Sequence, residues 1–228
     1  MDFTRGLRFP LQDPEWVKKI VIGALISLVP ILNFAAIGYA MDALRNVYHG
    51  RETLPTWDEL GTLFVRGLMV IVIQFLWFLP LLVLLCPALL LIGGAGALSG
   101  NEEPGALFAL ANVCVWGLYA VAALALAPLT LAAQARFAVS NNFSDALPGP
   151  VWAEVRGNFR PWLIVLGFAI VLGILLSIVS VPLVLLTFGL GVFLLLPLQF
   201  YLQLVMAHWQ AQAHRESVGP ATLPTSML

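Results

Sequence analysis

Between Arg160 and Arg215 the chain carries no Asp, Glu, Lys or Arg. Three further charge-free stretches precede it: Lys19 to Asp42, Arg66 to Glu102 and Glu103 to Arg136. A charge at mid-bilayer costs roughly 2.5–3.5 kcal/mol even on the lenient insertion scale. The spacing therefore describes long apolar segments inside a membrane, with charge confined to the connections. Hydrophobic residues make up 61% and charged residues 10%, well under the ~25% charged of soluble domains. A net charge of −1 with no basic stripe leaves no electrostatic footprint for nucleic acid.

The runs define an all-α, polytopic membrane helix bundle. Four full spans are expected at about 64–92, 106–134, 161–186 and 190–212. The last two come from one run, Trp162 to Trp209. As a single helix it would extend roughly 70 Å, more than two ~30 Å hydrocarbon cores. It must fold back, and Thr187-Phe188-Gly189-Leu190-Gly191 is the glycine-rich place to do so. The first run is different. Pro30 and Asn33 interrupt it, and basic residues flank it on both sides. The positive-inside rule puts segments 41–66 and 136–160 and both termini in the cytoplasm. Residues 17–49 therefore read as a helix–break–helix, with a re-entrant arm favoured over a fifth span.

Three shorter features complete the organisation. Residues 1–16 mix charges with Phe3, Phe9 and Trp16 around Pro10 and Pro14, which suits an interfacial segment rather than a long helix. In Met41–His49 a turn of ~100° per residue gathers Met41, Ala43, Leu44, Val47 and Tyr48 on one side. Thr56-Trp57-Asp58-Glu59 reads as a capping box before a second amphipathic helix. Both helices suit either the membrane interface or packing on the bundle. Residues 17–215 form one membrane domain with a disordered cytoplasmic tail, 216–228. Within it, 55–136 and 150–215 read as a weak repeat, since Pro55-Thr-Trp57-Asp-Glu59 resembles Pro150-Val-Trp152-Ala-Glu154.

No Asp, Glu, Lys or Arg lies deep within a span, and an embedded charge is the usual mark of coupled transport. The deeper polar side chains are Asn33, Gln74, Asn112, Thr130, Ser177 and Ser180, which helix-to-helix hydrogen bonds can satisfy. Cys86 and Cys114 read as small buried hydrophobes. Gly117, Ala120, Ala123 and Ala127 form a small-residue face for internal packing. His49, His208 and His214 lack ligand spacing, and nucleophile motifs and phosphate-binding loops are missing. No catalytic residue, metal ligand or cofactor is expected.

One ordered series of residues carries a resemblance. It runs Phe9-Pro10, Asp13, Trp16, Lys18-Lys19, Pro30, Gly38-Tyr39, Arg45, Gly50, Leu54-Pro55, Trp57-Asp58 and Gly67. Over about 70 residues it resembles the prokaryotic multi-pass membrane proteins grouped as domain-of-unknown-function family 4013. The resemblance implies a prokaryotic plasma-membrane protein and supplies no catalytic residues. The expected function is non-enzymatic: a scaffold or accessory subunit engaging membrane lipid, another membrane protein or a second copy. Its candidate surface is Arg45, Arg51, Trp57 and Arg66. The alternative is a small-solute permease or channel, with a cavity lined by Asn33, Gln74, Asn112, Gln199 or Gln203.

Overall fold

The computed structural model describes residues 1–98 and 106–219, and every regular element among them is helical. A short α1 (Phe3–Arg8) and a 3-10 turn (Phe9–Gln12) lead into α2 (Trp16–Leu28) and α3 (Asn33–Tyr48). One long hairpin pairs α4 (Leu60–Leu98) with α5 (Ala106–Ser140). A second 3-10 turn (Phe143–Ala146) and α6 (Pro148–Gly157) connect it to the other hairpin, α7 (Arg160–Leu186) and α8 (Gly191–Val218). These four long helices are apolar enough to cross a membrane. This is the expected all-α bundle.

The break in the first run follows from Pro30, whose ring disfavours helical backbone at the preceding residue. Val29 is accordingly extended, at φ −94° and ψ 115°, and ends α2. Both arms then meet one loop. The Lys19 ammonium donates to the Leu54 carbonyl at 3.1 Å, and the Trp57 indole donates to the Lys19 carbonyl at 3.2 Å. From α3, the Tyr39 hydroxyl donates to the Pro55 carbonyl at 2.8 Å. The start of α2 and the second half of α3 thus share one end of the bundle. Helix from Lys19 to Pro30 covers about 16 Å, half of a ~30 Å hydrocarbon core. The arm turns back after that length.

Helix α3 is the hub, packing on α2, α4, α5 and α8. Its small side chains Ala36, Ala40 and Ala43 are fully buried beside Tyr39 and Leu44. The closest approach is to α4. A Cβ on Gly38 would lie 1.9 Å from the Leu63 carbonyl oxygen, and one on Gly67 would lie 1.7 Å from that of Phe34. Two glycines therefore let the backbones touch reciprocally, where dispersion is strongest per residue.

The core occupies only one end. Beyond Leu81 in α4, before Pro128 in α5 and beyond Val165 in α7, no described side chain is buried. In α8 the same holds between Gly191 and Phe200. The distal halves of the two hairpins therefore present apolar surface, such as Leu84, Leu118 and Leu186, to their surroundings.

Several expectations are corrected. Met41–His49 is the second half of α3, and its apolar side (Met41, Ala43, Leu44, Val47, Tyr48) is buried by neighbouring helices rather than lying in an interface. Residues 57–59 form a turn, so no second amphipathic helix precedes α4. The Trp57 ring stacks on Tyr39 with centroids 4.1 Å apart, which holds that segment against the bundle instead. Two of the N-terminal aromatics also point inward, since Phe9 is buried and Phe3 stacks on Phe168 at 4.1 Å, while Trp16 stays exposed. The long helices overrun their expected ends. In hydrocarbon every amide needs an internal partner, so Gly93–Gly96 stays helical within α4. Cys86 and Cys114 are free and exposed on the apolar exterior, not buried. The small-residue face of α5 is not a packing seam at Gly117, where an added Cβ would meet nothing within 4 Å. Of the expected tail, Glu216–Val218 complete α8, and 220–228 lie outside the described residues.

Adding a methyl at either glycine of the crossing forces α3 and α4 apart. Gly67→Ala should cost about 2–3 kcal/mol, read as a lowered unfolding temperature in detergent. Gly117→Ala, made in open space, should be neutral or stabilising by up to about 1 kcal/mol.

Candidate functional site

Each charged side chain among the described residues belongs to the end of the bundle that holds the core, and several of their partners are distant in sequence. Asp13 is buried. Its carboxylate accepts from the Lys19 ammonium at 2.7 Å, the Leu54 amide at 3.1 Å and the Glu15 amide at 2.9 Å. Asp13 thereby ties the N-terminal segment, α2 and the loop before α4 into one clasp. Burial pushes its carboxyl pKa upward. The hydrogen bond and charge of Lys19, with the two amides, outweigh that and hold it below the usual carboxylate value.

A second clasp joins the two hairpins through α6. Pro148 starts α6 without needing a donor, and the helix carries Glu154 inward. Its buried carboxylate takes the Arg136 guanidinium of α5 at 2.9 Å and the His214 imidazole of α8 at 2.7 Å. Arg136 also donates to the Asp145 carbonyl at 2.8 Å. The N-terminal segment docks beside this cluster, where Asp2 and Gln212 exchange backbone and side-chain hydrogen bonds at 2.8 and 3.2 Å.

The residues singled out from sequence divide between packing and surface. Arg66 pairs with Asp42 across the α3–α4 crossing and donates to Asn141 at 3.1 Å. Trp57 lies half-buried between Tyr39 and Phe200. Arg45 is half-buried and Arg51 exposed, and neither forms an ion pair among the described residues. Asp13 stood only in the family series, Glu154 only in the weak repeat and His214 only as a histidine without ligand spacing, and Arg136 was not singled out. Separations of 41 residues for Asp13–Leu54 and 60 for Glu154–His214 leave no local signal.

Directly below the charged end, a cleft of about 450 Å³ opens between the α2–α3 break and the α7–α8 hairpin. Ser27, Asn33, Gln199 and Gln203 supply its polar groups, and no charged side chain lines it. Gln74 and Asn112 are not part of it. The other deep polar groups bond within their own helices rather than across them. Asn112 donates to Phe108, Thr130 to Ala127, Ser177 to Gly173 and Ser180 to Ser177. These back-bonds reach the nearest carbonyl on the same helix, in buried Thr130 as in exposed Ser177.

Taken together, four long apolar helices joined at a charged end make this a multi-pass membrane protein. The chain belongs to the family described as "Protein of unknown function (DUF4013)", whose model matches residues 22–185. The match begins after Phe9, Asp13 and Lys19 and continues through α4 to α7, well past the 70-residue series that suggested it. No curated protein and no solved structure matches the chain.

The Asp13 clasp gives a signed pH dependence. Its folded pKa lies below the unfolded one, so its contribution is whole above about pH 4 and is lost as pH falls through the folded value. Asp13→Ala should cost about 3 kcal/mol near neutrality, because it strands the Lys19 ammonium. The variant should also flatten the acid limb of an unfolding-temperature profile in detergent.

Proposed function

We propose that the protein works without catalysis of its own, as a scaffold or accessory subunit that holds a membrane partner. The observation that supports this most is the division of the bundle into a consolidated charged end and two hairpins that share no core beyond it. Such hairpins leave lateral apolar faces for lipid or a partner's helices, while every strong interaction serves to hold the charged end together. All eleven Lys and Arg residues sit at that end. By the positive-inside rule we place it, with both termini, on the cytoplasmic side of a prokaryotic plasma membrane. Arg45 and Arg51, free of ion pairs among the described residues, are the proposed partner surface there, with Trp57 and Arg66 supporting the loop and crossing behind them.

Purification in lipid nanodiscs tests this reading. It predicts one stoichiometric protein partner, crosslinked from a photoreactive residue at position 51 and reduced about tenfold by Arg45→Glu with Arg51→Glu. A second reading, a small-solute permease, draws support from the cleft that gathers Asn33, Gln199 and Gln203. A partner-free monomer giving robust liposome flux that Gln203→Leu abolishes would replace the first reading with the second.

A further inference from the structure

The cleft at the α2–α3 break poses a specific physical problem. Among the described residues the Asn33, Gln199 and Gln203 carboxamides have no hydrogen-bond partner, whereas Ser27 donates to the Gly23 carbonyl at 2.8 Å. The backbone amide of Asn33, by contrast, is paired with the Val29 carbonyl at 2.9 Å. Unpaired amides at hydrocarbon depth cost several kcal/mol each. They are tolerated where a polar occupant meets them.

Two features define that occupant. The lining holds no Asp, Glu, Lys, Arg or His, so nothing there neutralises a phosphate or an ammonium. The remaining walls are apolar, and the helices that form them carry exposed Leu28, Leu175 and Leu198 beside lining residues. The mouth therefore opens sideways onto hydrocarbon rather than upward to water. An uncharged headgroup attached to an apolar body fits both features.

We propose that this cleft binds a neutral membrane lipid of the diacylglycerol class. Its hydroxyl and ester carbonyl oxygens bond to Asn33, Gln199 and Gln203, and its acyl chains lie along Ile37, Leu172 and Leu176. Carboxamides both donate and accept, so they can serve a hydroxyl and a carbonyl together. The proposal deepens the lipid side of the interaction reading and does not need the protein partner.

The experiment uses the full chain in nanodiscs containing a photoreactive diacylglycerol, with photoreactive phosphatidic acid and phosphatidylcholine in parallel. Labelled peptides are mapped by mass spectrometry. Saturable diacylglycerol labelling of the α7–α8 segment around residues 172–203 is expected, competed by unlabelled diacylglycerol and weak with either phospholipid. Gln203→Leu and Gln199→Leu should each reduce it about tenfold, the value of roughly one hydrogen bond. Gln199 is exposed, so its variant leaves the packing intact and serves if Gln203→Leu fails to fold. Equal labelling by all three lipids, labelling unchanged in the leucine variants, or no labelling at saturating diacylglycerol (a cleft holding only water) would each overturn the proposal. A partner captured alongside an unlabelled cleft would leave the partner reading standing and this one refuted.

Discussion

The exclusion of charge from hydrocarbon organises the molecule. Every Lys and Arg sits at one end of the bundle, and several of the carboxylates there are answered by them. Asp13 meets Lys19, Asp42 meets Arg66 and Glu154 meets Arg136. The Asp42–Arg66 and Glu154–Arg136 pairs join different helices, and Asp13 also reaches the Leu54 amide, so confinement of charge also becomes the means of joining elements. A buried pair adds little net stability of its own, but losing one member strands the other. That asymmetry makes the clasps exacting about which segments meet.

Packing depends on the short arm that this constraint produces. The first apolar run breaks at Pro30, and its two limbs return to the same loop at the charged end. Its second limb, α3, is then free to run through the centre, with Gly38 against α4 and Tyr39 reaching the Pro55 carbonyl. Helices α4, α5 and α8 lean on this hub with their buried halves only. Pro80, Pro128 and Pro197 lie close to the point where α4, α5 and α8 pass from buried to exposed. Below that level each hairpin stands by itself.

What could be read from sequence was what is written locally. Apolar length and charge spacing marked the four spans. Pro30 marked the break through its effect on Val29. The turn at Thr187–Leu190 was visible because it needs positive φ, taken up by Phe188 at 50° and Gly189 at 92°. Amphipathic periodicity found the correct face of Met41–His49 yet could not say whether protein or membrane covered it. The clasps were invisible for the complementary reason: Glu154 and His214 share no periodicity and become neighbours only once α6 and α8 are packed. The cleft lies between these cases. Asn33, Gln199 and Gln203 stood out singly as polar groups in apolar runs, and topology brought them to one place while leaving Gln74 and Asn112 elsewhere.

The central claim is that the first apolar run enters and leaves on one side, so that a single charged face carries every basic residue. Cysteine accessibility tests it most directly. With Cys86 and Cys114 replaced by alanine, single cysteines at the exposed positions Arg8, Arg51 and Glu216 are probed with an impermeant maleimide in vesicles of known orientation. The account predicts labelling of all three from the same side. Position 8 reacting from the side opposite position 51 would show that the run crosses, and would contradict it.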